Sequence, residues 1–337
     1  MSTTTTEPET TGGGKTPGEL DRSGRRFGDS LFKGISTGSG TLILVILAAV
    51  AVFLVGFSLP ALLADPADLQ FGPTDVEAFR FWAYVKPYAF GTVWIALLSM
   101  LFAVPVAVGI ALFITHYAPR RVAQPLGYVI DLLSAVPSVV FGLWGIQVFS
   151  PMTVPLFRWL HDTLGGYPVL NIFFGGQATA TGRTVLTASL VLAVMVLPII
   201  TAISREVFMQ TPRLHEEASL ALGATRWEMI RQAVLPFGTP GIVSACMLGL
   251  GRALGETMAI AMVLSGGSVI SWQLVTSNTQ DTPNTIAANI ALSRAEAHDI
   301  GLNQLIATGL ILFVITLIVN MSARAIVARR KEFSGAN

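Results

Sequence analysis

Two charged residues stand where the surrounding sequence admits almost none. Arg252 and Glu256 lie in the stretch 240–265, whose other residues are apolar, small or weakly polar. Residues four apart on a helix share a face and can pair. An arginine at the centre of a bilayer costs at least about 2.5–3.5 kcal/mol on insertion scales, so a charge there needs a reason. Two readings meet that demand. In one, the two side chains satisfy each other and tie helices together. In the other, Arg252 faces a translocation path and meets an oxyanion, whose oxygens match its planar fork of donors. Glu256 then orients the guanidinium and keeps the site from trapping the anion. Gly251 and Gly255 form a small-xxx-small pair on the same stretch, which serves close helix approach or leaves room for a substrate.

Other chemistry finds little support. Gly14-Lys15-Thr16 looks like the end of a phosphate loop, but Glu9 stands where the first glycine belongs and no strand precedes it. Gly34-Ile35-Ser36-Thr37-Gly38 matches a serine-hydrolase elbow without the strand and α/β context that the elbow needs. Cys246 is the single cysteine, which excludes an internal disulfide and a cysteine-cluster metal site. The four histidines, His116, His161, His215 and His298, are scattered. Asp131 reads as a partly solvated residue near the end of a span, His116 as interfacial, and Cys246 as packing. Asn320-Met321-Ser322 fits a glycosylation triplet but falls at an expected cytoplasmic membrane edge.

The elements that hold these residues are set by hydropathy. Of 337 residues, 52% are hydrophobic and 12% charged, against roughly 25% charged in soluble proteins. Lys and Arg number 21 and Asp and Glu 20, a net charge of +1, which argues against a nucleic-acid binder. A spanning helix needs about 20 mainly apolar residues. Stretches 41–64, 88–115, 126–149, 184–204, 240–265 and 303–321 qualify, and their only charges are Asp131, Arg252 and Glu256. A soluble helix would keep charges on one face. Whole segments lack them here, so lipid or other apolar helices surround them. The expectation is an all-α integral membrane protein with six transmembrane helices.

The N-terminal segment, loops two and four and the C-terminal segment together hold fifteen basic residues; loops one, three and five hold five. The positive-inside rule then puts both termini in the cytoplasm. Residues 1–40 read as a disordered cytoplasmic tail, 41–64 as a retained N-terminal anchor, and 322–337 as a second cytoplasmic tail. Pro60, Pro105, Pro137 and Pro198 fall inside spans and predict kinks there.

Cytoplasmic loop 205–236 carries the densest local signals. Thr211-Pro212 starts a helix, with Glu216 and Glu217 in its first turns where the positive end of the dipole favours acids. Leu214, Ala218, Ala221 and Leu222 make a narrow apolar stripe. Gly223 ends the helix through a left-handed turn. Thr225-Arg226-Trp227-Glu228 is a capping box that opens a second helix bearing Trp227, Ile230 and Val234. A short amphipathic helix of this kind lies on lipid or docks a soluble partner. A DNA-reading helix pair has the same shape, but mixed charge and two flanking spans argue against it.

At this point the sequence resembles a known family. Bacterial ABC importer permeases carry a cytoplasmic motif of the form EAA, three residues, G, nine residues, I, any residue, LP. Here Glu217-Ala218-Ser219 is followed by Gly223 and then by Ala233-Val234-Leu235-Pro236. Ser219 replaces the second alanine and Ala233 the isoleucine, both still small. Segments 133–145, 191–198 and 251–259, together with the loop text 285–291, are similar to phosphate-specific permeases. The Gly142-Leu143-Trp144-Gly145 form looks more like the PstC-type subunit than its PstA-type partner.

The resemblance implies a type I ABC importer permease fold, MetI-like, over 88–321. It implies import of inorganic phosphate through a path that includes Arg252 and Glu256. Glu217, Ala218, Gly223, Thr225, Trp227, Leu235 and Pro236 would form the coupling element that sits in a groove on the ATPase. The expected partners are a PstA-like second permease, two ATPase subunits, an extracytoplasmic phosphate-binding protein facing loops three and five, and membrane lipid, with no nucleic acid. The chain is expected to be no enzyme and to hold no cofactor, ATP and Mg²⁺ being bound by the ATPase. A permease for sulfate, molybdate or phosphonate fits the same pattern. A proton-coupled carrier would need carboxylates along several spans and an inverted repeat, and an intramembrane enzyme on lipid phosphates would need clustered ligands.

Overall fold

The computed structural model describes residues 27–72, 80–264 and 266–333. Among these residues thirteen α-helices follow one another, with a single isolated β-bridge between Gly267 and Pro283. They are α1 (Phe27–Leu63), α2 (Arg80–Leu112), α3 (Arg120–Ser134), α4 (Ser138–Trp144), α5 (Ser150–Leu164), α6 (Asn171–Phe174) and α7 (Val185–Met209). After them come α8 (Arg213–Ala221), α9 (Arg226–Met229), α10 (Leu235–Leu254), α11 (Met258–Val263), α12 (Ile286–Ser293) and α13 (Ile300–Phe333). Single π-helical turns at Phe113–Tyr117, Gly145–Phe149 and Ile230–Val234 extend or join helices without ending them. Among the described residues six helical segments are long and apolar enough to cross a membrane: Leu31–Leu63, Arg80–Tyr117, Ser138–Leu164, Val185–Met209, Arg226–Leu254 and Ile300–Ala325.

The expected boundaries hold for most spans and fail at four places, one being the fifth span, which runs over Arg226–Leu254 and not 240–265. Helix α1 begins at Phe27, so 27–40 is helical and not an irregular tail; residues 1–26, with Gly14-Lys15-Thr16, lie outside the described residues. Gly34 to Gly38 sit inside α1, which removes any elbow there. The third span runs over Ser138–Leu164, not 126–149. Pro137 forces the break: it pushes Val136 out of helical conformation, and its own extended backbone (φ −59°, ψ 140°) heads α4. Pro137 therefore separates two helices, whereas Pro60, Pro105 and Pro198 do lie inside α1, α2 and α7. Finally α13 continues through Phe333, past the expected end at 321.

The chain divides into two compact units, Met1–Phe53 and Leu54–Asn337. In the first, Leu42 to Leu47 are all exposed in succession, so every face of the helix is apolar and open, as lipid contact requires. In the second, α7 is the central helix. It packs along α2 and α10 through a core that includes Ile95, Val191, Leu192, Val196, Ile200 and Leu254. Ala103, Ala107, Ala188 and Ala245 in the same core let backbones approach closely, which is how helices associate where lipid is as apolar as leucine.

Loop five is a surface loop only in part: Ile270, Trp272, Thr279 and Gln280 are exposed, whereas residues 274–276 and 282–285 are buried. Residues 266–285 are irregular backbone that leads into α12, which packs on α2. Such backbone survives among spans only where protein satisfies it. Leu186 N donates to the Leu274 carbonyl at 2.9 Å, and Leu274 N to the Phe173 carbonyl at 2.8 Å. Ile286 N donates to Thr92 Oγ1 at 2.9 Å, and Asn289 Nδ2 to the Tyr84 hydroxyl at 2.6 Å. A Cβ on Gly91 would strike the Asn284 carbonyl oxygen, so only glycine lets this segment lie against α2. Thr92→Val keeps the shape of residue 92 and strips the buried Ile286 amide of its acceptor. It should destabilise the protein by about 1–3 kcal/mol, read as a lower Tm of the detergent-purified chain; an unchanged Tm would remove this bond from the account.

Candidate functional site

The fifth span breaks beside its charges. Helix α10 ends at Leu254, Gly255 and Glu256 leave the helix, and α11 begins at Met258. Gly255 has the poorest helix propensity after proline, and Glu256 then finds a competing use. Its Oε1 accepts the Ala259 N–H at 3.1 Å, capping the first turn of α11, where free amides favour a carboxylate. Glu256 is 8% exposed. The expected shared helical face therefore does not exist, and no ion pair joins Arg252 to Glu256 among the described residues. The ion pairs found there are His116–Glu216, His161–Asp162 and Arg205–Asp131. The last, at 3.5 Å, places Asp131 in a half-exposed bridge between α3 and α7.

Arg252 instead lines a cavity of about 950 Å³ where α7, α10 and α13 meet. Ser244 and Gly251 from α10 and Asn320 and Arg324 from α13 line it too, among apolar walls that include Ile199 and Met247. A Cβ on Gly251 would meet nothing within 4 Å, and one on Gly255 only the backbone of residues 251 and 252. So neither glycine admits a neighbouring helix here; Gly251 opens the cavity. Cys246 is half-buried and packs on the core. The sequence offers Asn320 only within a glycosylation triplet and Arg324 only among the basic residues of the C-terminal segment, because the sixth span is expected to stop at 321. Their spacing of four was the available signal once the helix is known to continue.

The second constellation is the helix pair after α7. Gly223 adopts φ +87°, the left-handed conformation that ends α8. Thr225 and Glu228 close the capping box: Thr225 N donates to Glu228 Oε2 at 2.8 Å, and Glu228 N to Thr225 Oγ1 at 3.3 Å. No residue of α8 is buried. Leu214 is 76% exposed and Leu222 90%, with Trp227, Glu217 and Ala218 also exposed. What holds this knob is the turn behind it. Ile230 and Val234 are fully buried against Ala111, Leu112, Phe208 and Met229. His116 Nε2, at the end of α2's π-turn, lies 3.6 Å from Glu216 Oε1. Leu235 is half-buried and Pro236 exposed at the head of α10. Ala233, where the motif has isoleucine, is half-buried; its neighbour Val234 supplies the buried side chain.

A family described as "Binding-protein-dependent transport system inner membrane component" matches residues 103–332. The phosphate transport system permease protein PstC 2 of Mycobacterium tuberculosis is 44% identical over 314 residues, covering 91% of this chain and 94% of its own length. The phosphate transport system permease protein PstC of Xylella fastidiosa is 36% identical over 320 residues, 94% of this chain and 96% of its own. Among solved structures, the inward-facing MetNI methionine ABC transporter superposes with TM-score 0.51 at 16% identity, over 74% of this chain and 96% of that one. The bacterial alginate ABC transporter, in complex with its periplasmic protein, gives TM-score 0.51 at 18% identity, over 89% and 97%. Those likenesses concern the fold, which is that of type I, MetI-like ABC importer permeases.

The capping role of Glu256 separates two substitutions. Glu256→Gln keeps an acceptor oxygen for the Ala259 amide and Glu256→Ala removes it. The alanine variant should weaken the start of α11 by about 0.5–2 kcal/mol, seen as faster hydrogen exchange at the Ala259 amide, with the glutamine variant near native. Equal exchange in both variants would count against the cap.

Proposed function

We propose a function from one premise: the chain belongs to the family of binding-protein-dependent transport system inner membrane components. It is the PstC-type permease subunit of an ATP-driven importer of inorganic phosphate. Full-length relatives named as phosphate permeases support the substrate. The observation that carries the reading is Arg252 standing in a cavity among the spans without a carboxylate partner among the described residues. An unpaired guanidinium at that depth is costly, and an oxyanion on the path relieves it. Its planar donors meet tetrahedral oxygens two at a time.

The basic loops orient both termini, and with them the α8–α9 pair, to the cytoplasm. Leu214, Leu222 and Trp227 then offer an apolar knob to an ATPase subunit, and Glu217, Ala218, Gly223, Thr225, Leu235 and Pro236 shape and seat it. Two ATPases, a PstA-like second permease and an extracytoplasmic phosphate-binding protein complete the importer. ATP and Mg²⁺ belong to the ATPases. Closure of their dimer displaces the knob. Ile230 and Val234 pass the displacement to α2 and α7, and the cavity of Arg252 opens to the other side. A ligand shifts such an equilibrium only through different affinity for the two states, which an arginine open to one side at a time provides.

Arg252→Gln should abolish phosphate uptake by the complete transporter in vesicles while membrane insertion and assembly persist; normal uptake kinetics would reject the role of Arg252. Gly223→Val tests coupling. A side chain there meets nothing within 4 Å, so the variant acts through backbone strain alone, on the order of 1–3 kcal/mol. The expected outcome is poor co-purification with the ATPase and loss of uptake. Both unchanged would reject docking through this turn.

A further inference from the structure

The cavity that Arg252 lines holds three further polar side chains, Ser244, Asn320 and Arg324. Ser244, Leu248 and Arg252 recur every four residues on α10 and share a face. Asn320 and Arg324, four apart on α13, face the same space. Ser244 and Arg252 are eight residues apart, about 12 Å along the helix axis, which leaves room along one face for two anion positions in succession. No carboxylate lines the cavity among the described residues, and neither arginine has an ion pair there. Two guanidinium groups facing one largely apolar-walled space, Arg252 half-buried and Arg324 exposed, repel each other, and an anion between or beside them lowers that repulsion.

We propose that Arg324, Asn320 and Ser244 form a second oxyanion position, successive to that at Arg252 in the same cavity. The proposal rests on the phosphate-permease reading above and extends it to the path beyond the first arginine. Arg324 supplies the charge. Asn320 and Ser244 each carry an oxygen that accepts as well as a group that donates. The Ser244 hydroxyl at present donates to the Pro240 carbonyl at 3.0 Å, which leaves its lone pairs free. Phosphate keeps a proton near neutral pH and needs an acceptor for it; sulfate keeps none. A site with one cation and two amphoteric neighbours therefore suits a protonated oxyanion. A site that hydrogen-bonds a particular group discriminates against an analogue that lacks it, because its own polar atoms are then left unpaired.

The complete transporter in proteoliposomes provides the test. Native complex that fails to accumulate phosphate refutes the underlying reading, whatever the variants do. Given native uptake, Arg324→Glu should cut uptake at least about tenfold, since a like charge in the path is strongly unfavourable, while Arg324→Lys should stay near native. Occupancy is read separately in a Cys246→Ala, Val243→Cys chain, whose new thiol lines the cavity beside Ser244 without replacing it, assembled in the full complex in zwitterionic lipid. Inorganic phosphate should slow modification of the introduced thiol severalfold, sulfate should not, and Arg324→Gln should abolish the protection. Normal uptake by Arg324→Glu, modification indifferent to phosphate, or equal protection by sulfate overturns the proposal. So does protection that follows added anionic lipid instead of phosphate, which would make the cavity a headgroup site.

Discussion

Glu256 gives its carboxylate to the Ala259 amide and not to Arg252, and much of the molecule's behaviour hangs on that choice. A continuous helix through residues 252–256 would pair the two charges and neutralise the site. The break at Gly255 turns the acid into a cap for α11. The carboxylate thus answers the amides freed by the break, while the guanidinium is left to the cavity. One local interruption settles both the backbone's hydrogen bonds and which charge the cavity receives.

The same demand for satisfied backbone governs the segment between α11 and α12. Irregular chain at membrane depth is costly unless protein supplies every partner. Thr92, Phe173 and Leu186 supply partners here, and Gly91 lets the segment approach. Polar residues that would suit an exposed loop, such as Thr276, Thr282, Asn284 and Thr285, are buried for this reason. These bonds tie the segment to α2 and α7, the two helices that also hold the turn behind the α8–α9 pair.

How far the sequence alone reaches can be judged residue by residue. The helix pair was legible in detail, because Gly223, Thr225 and Glu228 act locally and their geometry follows from residue type. The existence of six spans was legible from apolar length. The third span was misplaced because Arg158, His161 and Asp162 raised the apparent polarity of α5. In the structure Arg158 Nε donates to the Thr179 carbonyl at 3.2 Å, and His161 contacts Asp162 and the Gly176 carbonyl. Helix α1 reaches back to Phe27 through Gly34, Gly38 and Gly40, since extending a formed helix costs far less than starting one. The pairing of Arg252 with Glu256 was misread because spacing says nothing of where a helix stops. Arg324 was hidden by the assumption that a helix ends with its apolar stretch.

The capping box at the start of α9 has a mechanical consequence. Thr225 and Glu228 satisfy each other, so these polar groups need nothing from outside. In the docking proposed above, a partner seated on the exposed Leu214, Leu222 and Trp227 would meet an apolar patch flanked by the charges of Arg213, Glu217 and Arg226. The apolar part of such a contact would act as a ball in a socket, carrying a push or a tilt while the surfaces turn on one another. A lever built this way would owe its stiffness to its own cap and not to its partner.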